Sequence, residues 1–244
     1  DYSPAFGVEG ASYKVKNPDG RSQQRYLDVG ENPPDGAILL YWLDESAEDN
    51  LLIEVHDSDG ALQARFDVSD ERLKIDMKPT AHAGLNRFVW DLRSMPPVRL
   101  DRSLQDRPYQ PFAREGDGPA GVRVVPGTYR VSLTAGGKTS THDLVVARDP
   151  RIDVSDADLA AQYKVAKALT DSVSDLYIGV NRIRMMRKQL KNLKLLVPSI
   201  DSQIEEAMTR LGEIEARLVD VHRETPRDVL RHPAGLDDTL MDCL

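Results

Sequence analysis

Cysteine is all but missing from this chain. Its 244 residues contain one, Cys243, beside the last position, which excludes an internal disulfide and a thiolate-based metal centre. Aromatic residues make up only 6%, and the longest apolar run, AILLYWL at 37–43, is far short of the roughly 20 residues of a bilayer-spanning helix. Positive charge is in deficit as well. Forty acidic against 32 basic residues leave a formal net charge of −8, which argues against wrapping nucleic acid or holding to anionic lipid by charge alone. The histidines, His56, His82, His142, His222 and His232, are scattered, with no H-E-x-x-H and no Glu-x-x-His pair at helical spacing. There is no G-x-S-x-G elbow and no phosphate-cradling glycine loop. Paired carboxylates for glycoside hydrolysis cannot be ranked among so many acids. The sequence therefore offers no catalytic residue, no metal ligand and no cofactor-binding residue.

What is present is an apolar content of 40%, enough to build the cores of two ordinary domains. The chain starts at Asp1 without methionine or a charged-then-apolar leader, which points either to a removed signal segment or, the favoured reading, to a piece cut from something longer. Up to about residue 150, short apolar runs alternate with turn residues, and most of the prolines and glycines fall there. Strands are expected near 37–43, 50–56, 61–67, 72–77, 85–92, 122–125, 127–135 and 138–147. Two hairpin turns are explicit: His56-Asp57-Ser58-Asp59-Gly60, in which Gly60 supplies the positive φ, and Ala135-Gly136-Gly137-Lys138. Asp57 and Asp59 lack the ligand run of a calcium loop and are read as turn formers. In TYRVSLTA the side chains of Tyr129, Val131 and Leu133 alternate with polar ones, the period of a half-buried strand in a two-sheet sandwich. AILLYWL is apolar on both faces, so it is a central strand or one whose outer face meets another domain.

After Asp149-Pro150 the period changes. Ser155-Asp156-Ala157-Asp158 has the form of a capping box. Apolar residues from Leu159 to Leu193 then recur at steps of three and four until Pro198, giving a helix of roughly 40 residues, about 60 Å long. Ile200, Ile204, Ala207, Leu211, Ile214, Leu218 and Val221 form a heptad seam for a second helix, capped by Ser199 or Asp201 and folded back in an antiparallel hairpin. HPAGLDDTLMDCL starts a further amphipathic helix. The expected architecture is α+β. Residues 1–29 form an extension or linker, 30–150 the antiparallel β-sandwich, and 151–244 the long helical hairpin with the start of another helix.

One strand carries more. In GLNRFVWDLR at 84–93, Phe88, Trp90 and Leu92 share a face, Trp90 is the plug of the core, and Gly84 and Asn86 fit the turn before it. AGLNRFVWDLR followed by VPGTYRVSLTAGGKTSTHDLVV resembles the Ig-like sandwich of flagellar hook-capping proteins. The wider order GENPPDGAILLYWL, EVHDSDGALQARF, GLNRFVWDLR, PGTYRVSL and DPRIDVSDADLAAQYKVAKAL is similar to the region after the β-propeller in bacterial sortilin-type proteins, sialidase-like Asp-box proteins often labelled glycosyl hydrolases. The resemblance spans roughly residues 26–240. It implies an Ig-like fold and a non-propeller, accessory part of a large exported protein, periplasmic, cell-surface or secreted. No Asp-box repeat occurs here, so no catalytic residue is carried over.

Two features suggest binding. Arg182, Arg184, Arg187, Lys188, Lys191 and Lys194 follow one another without an intervening acid; this is either a basic face, centred on Arg184, Arg187, Lys188 and Lys191, for an acidic partner or phosphate surface, or a solvated helix end. The long loop 94–120 carries Tyr109 and Phe112, which with Trp42 form a candidate docking or ligand surface. The favoured function is a non-catalytic module docking on the propeller domain of its parent or on a protein partner, with no nucleic acid and no transmembrane segment. The alternatives are a carbohydrate- or peptide-binding module, with a glycan stacked on those aromatics, and the accessory part of an active glycoside hydrolase.

Overall fold

The computed structural model describes residues 12–16, 22–26, 33–71, 73, 77–104, 120–219 and 235–243. The fold is α+β, with antiparallel sheets followed by one long helix and shorter ones. The chain divides into two compact units: Asp1–Met95 with Arg123–Ala160, and Pro96–Val122 with Ala161–Leu244.

In the first unit, β1 (Ser12–Lys16) and β2 (Ser22–Tyr26) pair with each other. β3 (Ala37–Leu43) pairs with β6 (Gly84–Trp90) as a two-stranded sheet. β4 (Leu52–His56), β5 (Leu62–Asp67), β7 (Gly127–Ala135) and β8 (Lys138–Val146) make a four-stranded sheet in the order β5-β4-β7-β8. The expected turns close two of these ladders. Asp57 Oδ1 accepts from the N–H of Asp59 at 3.0 Å and of Ala61 at 2.8 Å, and Gly60 has φ +81°. Gly136 and Gly137, at φ +55° and +74°, form the two-residue turn between β7 and β8, whose twist matches that of the strands it joins.

The two larger sheets share one core. Ile53 and Val55 of β4, Ala64 and Phe66 of β5, Phe88 and Trp90 of β6, and Tyr129 of β7 are buried together. Burial of each large aliphatic or phenyl side chain contributes about 1.5–3 kcal/mol. Trp90 is fully enclosed: its Nε1–H donates to the Arg93 carbonyl at 2.8 Å, and its ring meets Tyr129 edge-on at 5.7 Å. The Tyr129 hydroxyl donates to the Val125 carbonyl at 2.7 Å, so both polar aromatic tips are satisfied inside the core.

The strand boundaries differ from the sequence expectations in three places. The ladder β1–β2 lies where no strand is expected, because SYKVK and SQQRY carry little apolar period. Within the expected strands 72–77 and 122–125, Leu73 and Met77 lie outside any strand, and Arg123 forms only an isolated bridge to Arg93. The strand expected at 85–92 stops at Trp90, because Leu92 takes the left-handed conformation (φ +58°) and its carbonyl receives the Val124 N–H at 2.8 Å.

Helix α1 spans Asp156–Leu196, and its capping box forms: the Asp158 N–H donates to Ser155 Oγ at 3.1 Å. A single 3-10 turn, Pro198–Ile200, leads to α2 (Asp201–Leu218), and α3 covers Leu236–Asp242. The residue preceding α2 is Ile200, with no side-chain cap, so neither Ser199 nor Asp201 takes the expected capping role. In the second unit Val173, Tyr177, Val180 and Val219 form a small core, with Leu100, Leu176, Leu218, Leu240 and Met241 packed against it. No helix among the described residues is long and apolar enough to cross a membrane.

Candidate docking surface

The strand pair β3–β6 turns one face to the core and one away from it. Strand periodicity sends Ala37, Leu39, Tyr41 and Leu43 inward, together with Asn86, Phe88 and Trp90. Outward it sends Ile38 opposite Val89, Leu40 opposite Arg87, and Trp42 opposite Leu85. A sheet with one solvated face ordinarily alternates apolar and polar residues. Here the outer face is apolar too: Trp42 is 67% exposed, Leu40 65%, Leu85 62% and Ile38 47%. Gly84, at φ +97°, lies beside the Trp42 indole, which a Cβ there would meet only at an ordinary contact distance of 4.0 Å. Arg87 is the one cation among these outward positions.

Hydrogen bonds and a close backbone approach support this face from beneath. Tyr41 donates its hydroxyl hydrogen to the Thr80 carbonyl, tying β3 to the segment that precedes β6. Asn86 is buried within β6 rather than placed in the turn, and its Nδ2 donates to the carbonyls of His82 at 2.7 Å and Gly84 at 3.0 Å. One amide therefore holds the whole entry into the strand that carries Leu85, Phe88 and Trp90. Gly36, at φ +153°, passes so close to the Trp90 carbonyl that a Cβ there would sit 2.3 Å from its oxygen.

Of the aromatic trio, Trp42 stands on this face, whereas Tyr109 and Phe112 lie outside the described residues. The four basic candidates are separated by the structure. Arg184 is buried and its Nε donates to Glu215 Oε1 at 2.6 Å, while Arg187 reaches Glu215 Oε2 at 2.7 Å. Lys188 and Lys191 are exposed. Lys194 pairs with Glu205 and, at 3.4 Å, with Asp201. Much of the cationic run is thus neutralised by acids of α2.

Glu215 went unnoticed in the sequence because Ile214 fits a strict heptad. In α2, however, Ile204 and Glu215 are buried and Ile214 is exposed. Eleven residues complete three turns at about 3.67 residues per turn, so position 215 falls on the same side as 204.

The long loop is also tied down in part. Between Pro96 and Leu104 it runs along α1: the Val98 N–H donates to Ser174 Oγ at 3.2 Å, the Asp101 N–H to Asn181 Oδ1 at 2.7 Å, and Asn181 Nδ2 to the Arg99 carbonyl at 2.9 Å. Hydrogen bonds from Ser103 hold the Asp101 carboxyl below its ordinary range, with Lys188 and Arg184 adding to the effect.

Perturbed ionisable groups occur elsewhere in the same unit. Burial first, then the charges of Asp237 and Asp238, push the Tyr177 phenol up to about 12. Burial likewise raises the Asp237 carboxyl, whose Oδ2 receives the Tyr177 hydroxyl at 3.5 Å. This pair sits against the helical core, with the Asp238 carboxylate close enough to raise both groups. No group of three or more His, Cys, Asp or Glu side chains positioned to hold a metal ion occurs among the described residues. No protein-family model, curated protein or solved structure gives a significant match to the chain.

Proposed function

We propose that this chain is a non-catalytic docking module, an accessory part of a larger exported protein that contains an Asp-box propeller. The observation that carries this reading is the outer face of β3–β6, where Ile38, Leu40, Trp42 and Leu85 form an apolar patch on a sheet whose other face already fills a core. Contiguous apolar surface of this kind marks an interaction site for a protein, a membrane or a ligand. Aliphatic residues outnumber hydrogen-bonding groups on it, which favours a protein neighbour over a sugar, since sugar recognition needs polar side chains beside the stacking ring. The finer fold that goes with the reading is an Ig-like sandwich followed by an antiparallel helical hairpin. The Tyr129 hydroxyl bonded to the Val125 carbonyl, in the manner of a tyrosine corner, supports the first part. The pairs Arg184–Glu215 and Lys194–Glu205 support the second.

Trp42 supplies the test, because the chain has two tryptophans and the other, Trp90, is fully buried. Titration with a purified Asp-box propeller domain of a bacterial sortilin-type protein should shift Trp42 emission to the blue, and Leu40→Ser with Leu85→Ser should abolish the shift. Failure of the propeller to form a complex, or hydrolysis of glycosides by the chain itself, would sink the proposal. A shift produced by oligosaccharides would move the reading to a carbohydrate-binding module.

A further inference from the structure

Helix α1 is apolar on two sides. Its inner side supplies Val173, Tyr177 and Val180 to the helical core. On its other side Ile178, Met185, Met186, Leu193 and Leu196 are all exposed. Ile178, Arg182, Met185, Gln189, Leu193 and Leu196 follow one another at steps of four, three, four, four and three, which places them in a single stripe along the outside of the helix. The cross-helix partners of Arg184, Arg187 and Lys194 are all acids of α2, so α2 covers a different side of α1 from this stripe.

We infer that this stripe is a second docking surface and that its occupant is an acidic amphipathic helix of a partner protein, seated lengthwise along α1. The spacing gives the shape, since steps of three and four are those by which one helix receives the side chains of another. Charge gives the chemistry. None of the stripe residues is acidic, Arg182 stands among them, and Lys188, whose charge is shared with Asp101, is exposed three residues after Met185, so the complementary helix carries Glu or Asp beside its apolar seam.

A second copy is a poorer occupant. Two such stripes face to face would set Arg182 and the flanking Lys188 of one copy against those of the other, and α2 offers only Ile214 as an exposed large apolar side chain among the polar Glu206, Arg210, Glu213 and Arg217. An anionic bilayer is poorer as well, because the field of a chain with net charge −8 opposes its approach to an extended anionic plane.

The test uses the full chain and a fluorescein-labelled synthetic peptide of four heptads, with leucine at the seam positions and glutamate at the flanking ones, beside a twin with lysine in place of glutamate. Fluorescence anisotropy should give at least a tenfold preference for the acidic peptide, weakening as salt is raised. Met185→Gln with Leu193→Gln should abolish binding while circular dichroism shows the helix content of the parent chain. Arg182→Glu with Lys188→Glu, two surface changes that leave the apolar residues intact, should invert the preference. Equal affinity for the twins, absence of binding, or acidic binding that survives the glutamine variant would overturn the inference. So would stripe-dependent binding to phosphatidylserine vesicles or stripe-dependent dimerisation in sedimentation. None of these readings depends on Trp42, so failure here is distinguishable from failure of the propeller docking.

Discussion

Arg184 and Glu215, 31 residues apart in the chain, meet through Nε and Oε1 at 2.6 Å with both side chains almost withdrawn from water. Glu215 also receives Arg187, so a single buried carboxylate links two guanidinium groups of α1 to α2. Desolvating such a cluster opposes much of its Coulombic gain, which makes it a device for choosing how the helices meet more than for strengthening them.

Removing one member of this cluster strands the others. Glu215→Leu or Arg184→Met alone is expected to destabilise the helical unit by about 3–5 kcal/mol, whereas the two together should recover much of that loss. Urea denaturation followed by far-ultraviolet circular dichroism reads the effect. Additive losses in the double variant would show that the two side chains are not coupled.

Gly36 stands where a side chain has no room. Alanine there would bring Cβ against the Trp90 carbonyl oxygen and hold an unfavourable φ, so Gly36→Ala is expected to destabilise the sheet unit by about 1–3 kcal/mol. The same change at Gly60, where a Cβ would meet nothing within 4 Å, carries the φ strain without the collision. Thermal unfolding of both should place the Gly36 variant lower, and the reverse order would refute the steric argument.

Asn86 tests the polar interior. Asn86→Leu removes the two donations to the His82 and Gly84 carbonyls and is expected to destabilise by about 2–3 kcal/mol. Asn86→Asp should be worse, because it sets a carboxylate against two carbonyl oxygens. Its deficit should shrink on acidification, as protonation restores one donor. A pH-independent deficit would contradict this geometry.

Asp237 gives α3 a pH dependence with a definite sign, while Asp101, lowered by hydrogen bonds from Ser103, acts oppositely in the same unit. Its carboxyl is raised by burial above the ordinary value of 3.8, so the folded state binds the proton more tightly than the unfolded chain does. The associated stabilisation is complete below that ordinary value and is lost as pH rises through the raised one. Asp91 in the sheet unit is raised for the same first reason and acts in the same direction there, whereas the lowered Asp67 acts oppositely. Hydrogen-exchange protection of α3 should therefore be greater in acid than at neutral pH, and Asp237→Asn should flatten the profile. Protection of α3 that climbs with pH would be the wrong sign.

These positions show what was legible in the sequence. Gly60 and Gly136-Gly137 announced their turns because only certain residues accept positive φ, and Ser155 announced α1 because its capping geometry is local. The two apolar faces of AILLYWL were visible because strand period is simple. Glu215 and Asn86 were hidden for a shared reason. Each is a polar residue whose burial is decided by a partner distant in sequence or by main-chain atoms, and neither leaves an apolar period. Likewise β1 and β2, with few apolar residues, are defined by pairing rather than by pattern. The turn reading of Asn86 failed because an amide suits a turn and the underside of one equally well.

The clasp between α1 and the segment from Pro96 to Leu104 has a mechanical result. Ser174 and Asn181 are seven residues apart and grip the main chain at Val98, Arg99 and Asp101. Helices built on repeating apolar steps can slip past a neighbour by a turn, about 5.4 Å, with little change in buried area. Here such a slip would break three hydrogen bonds together, so the clasp acts as a pin that fixes the axial setting of α1.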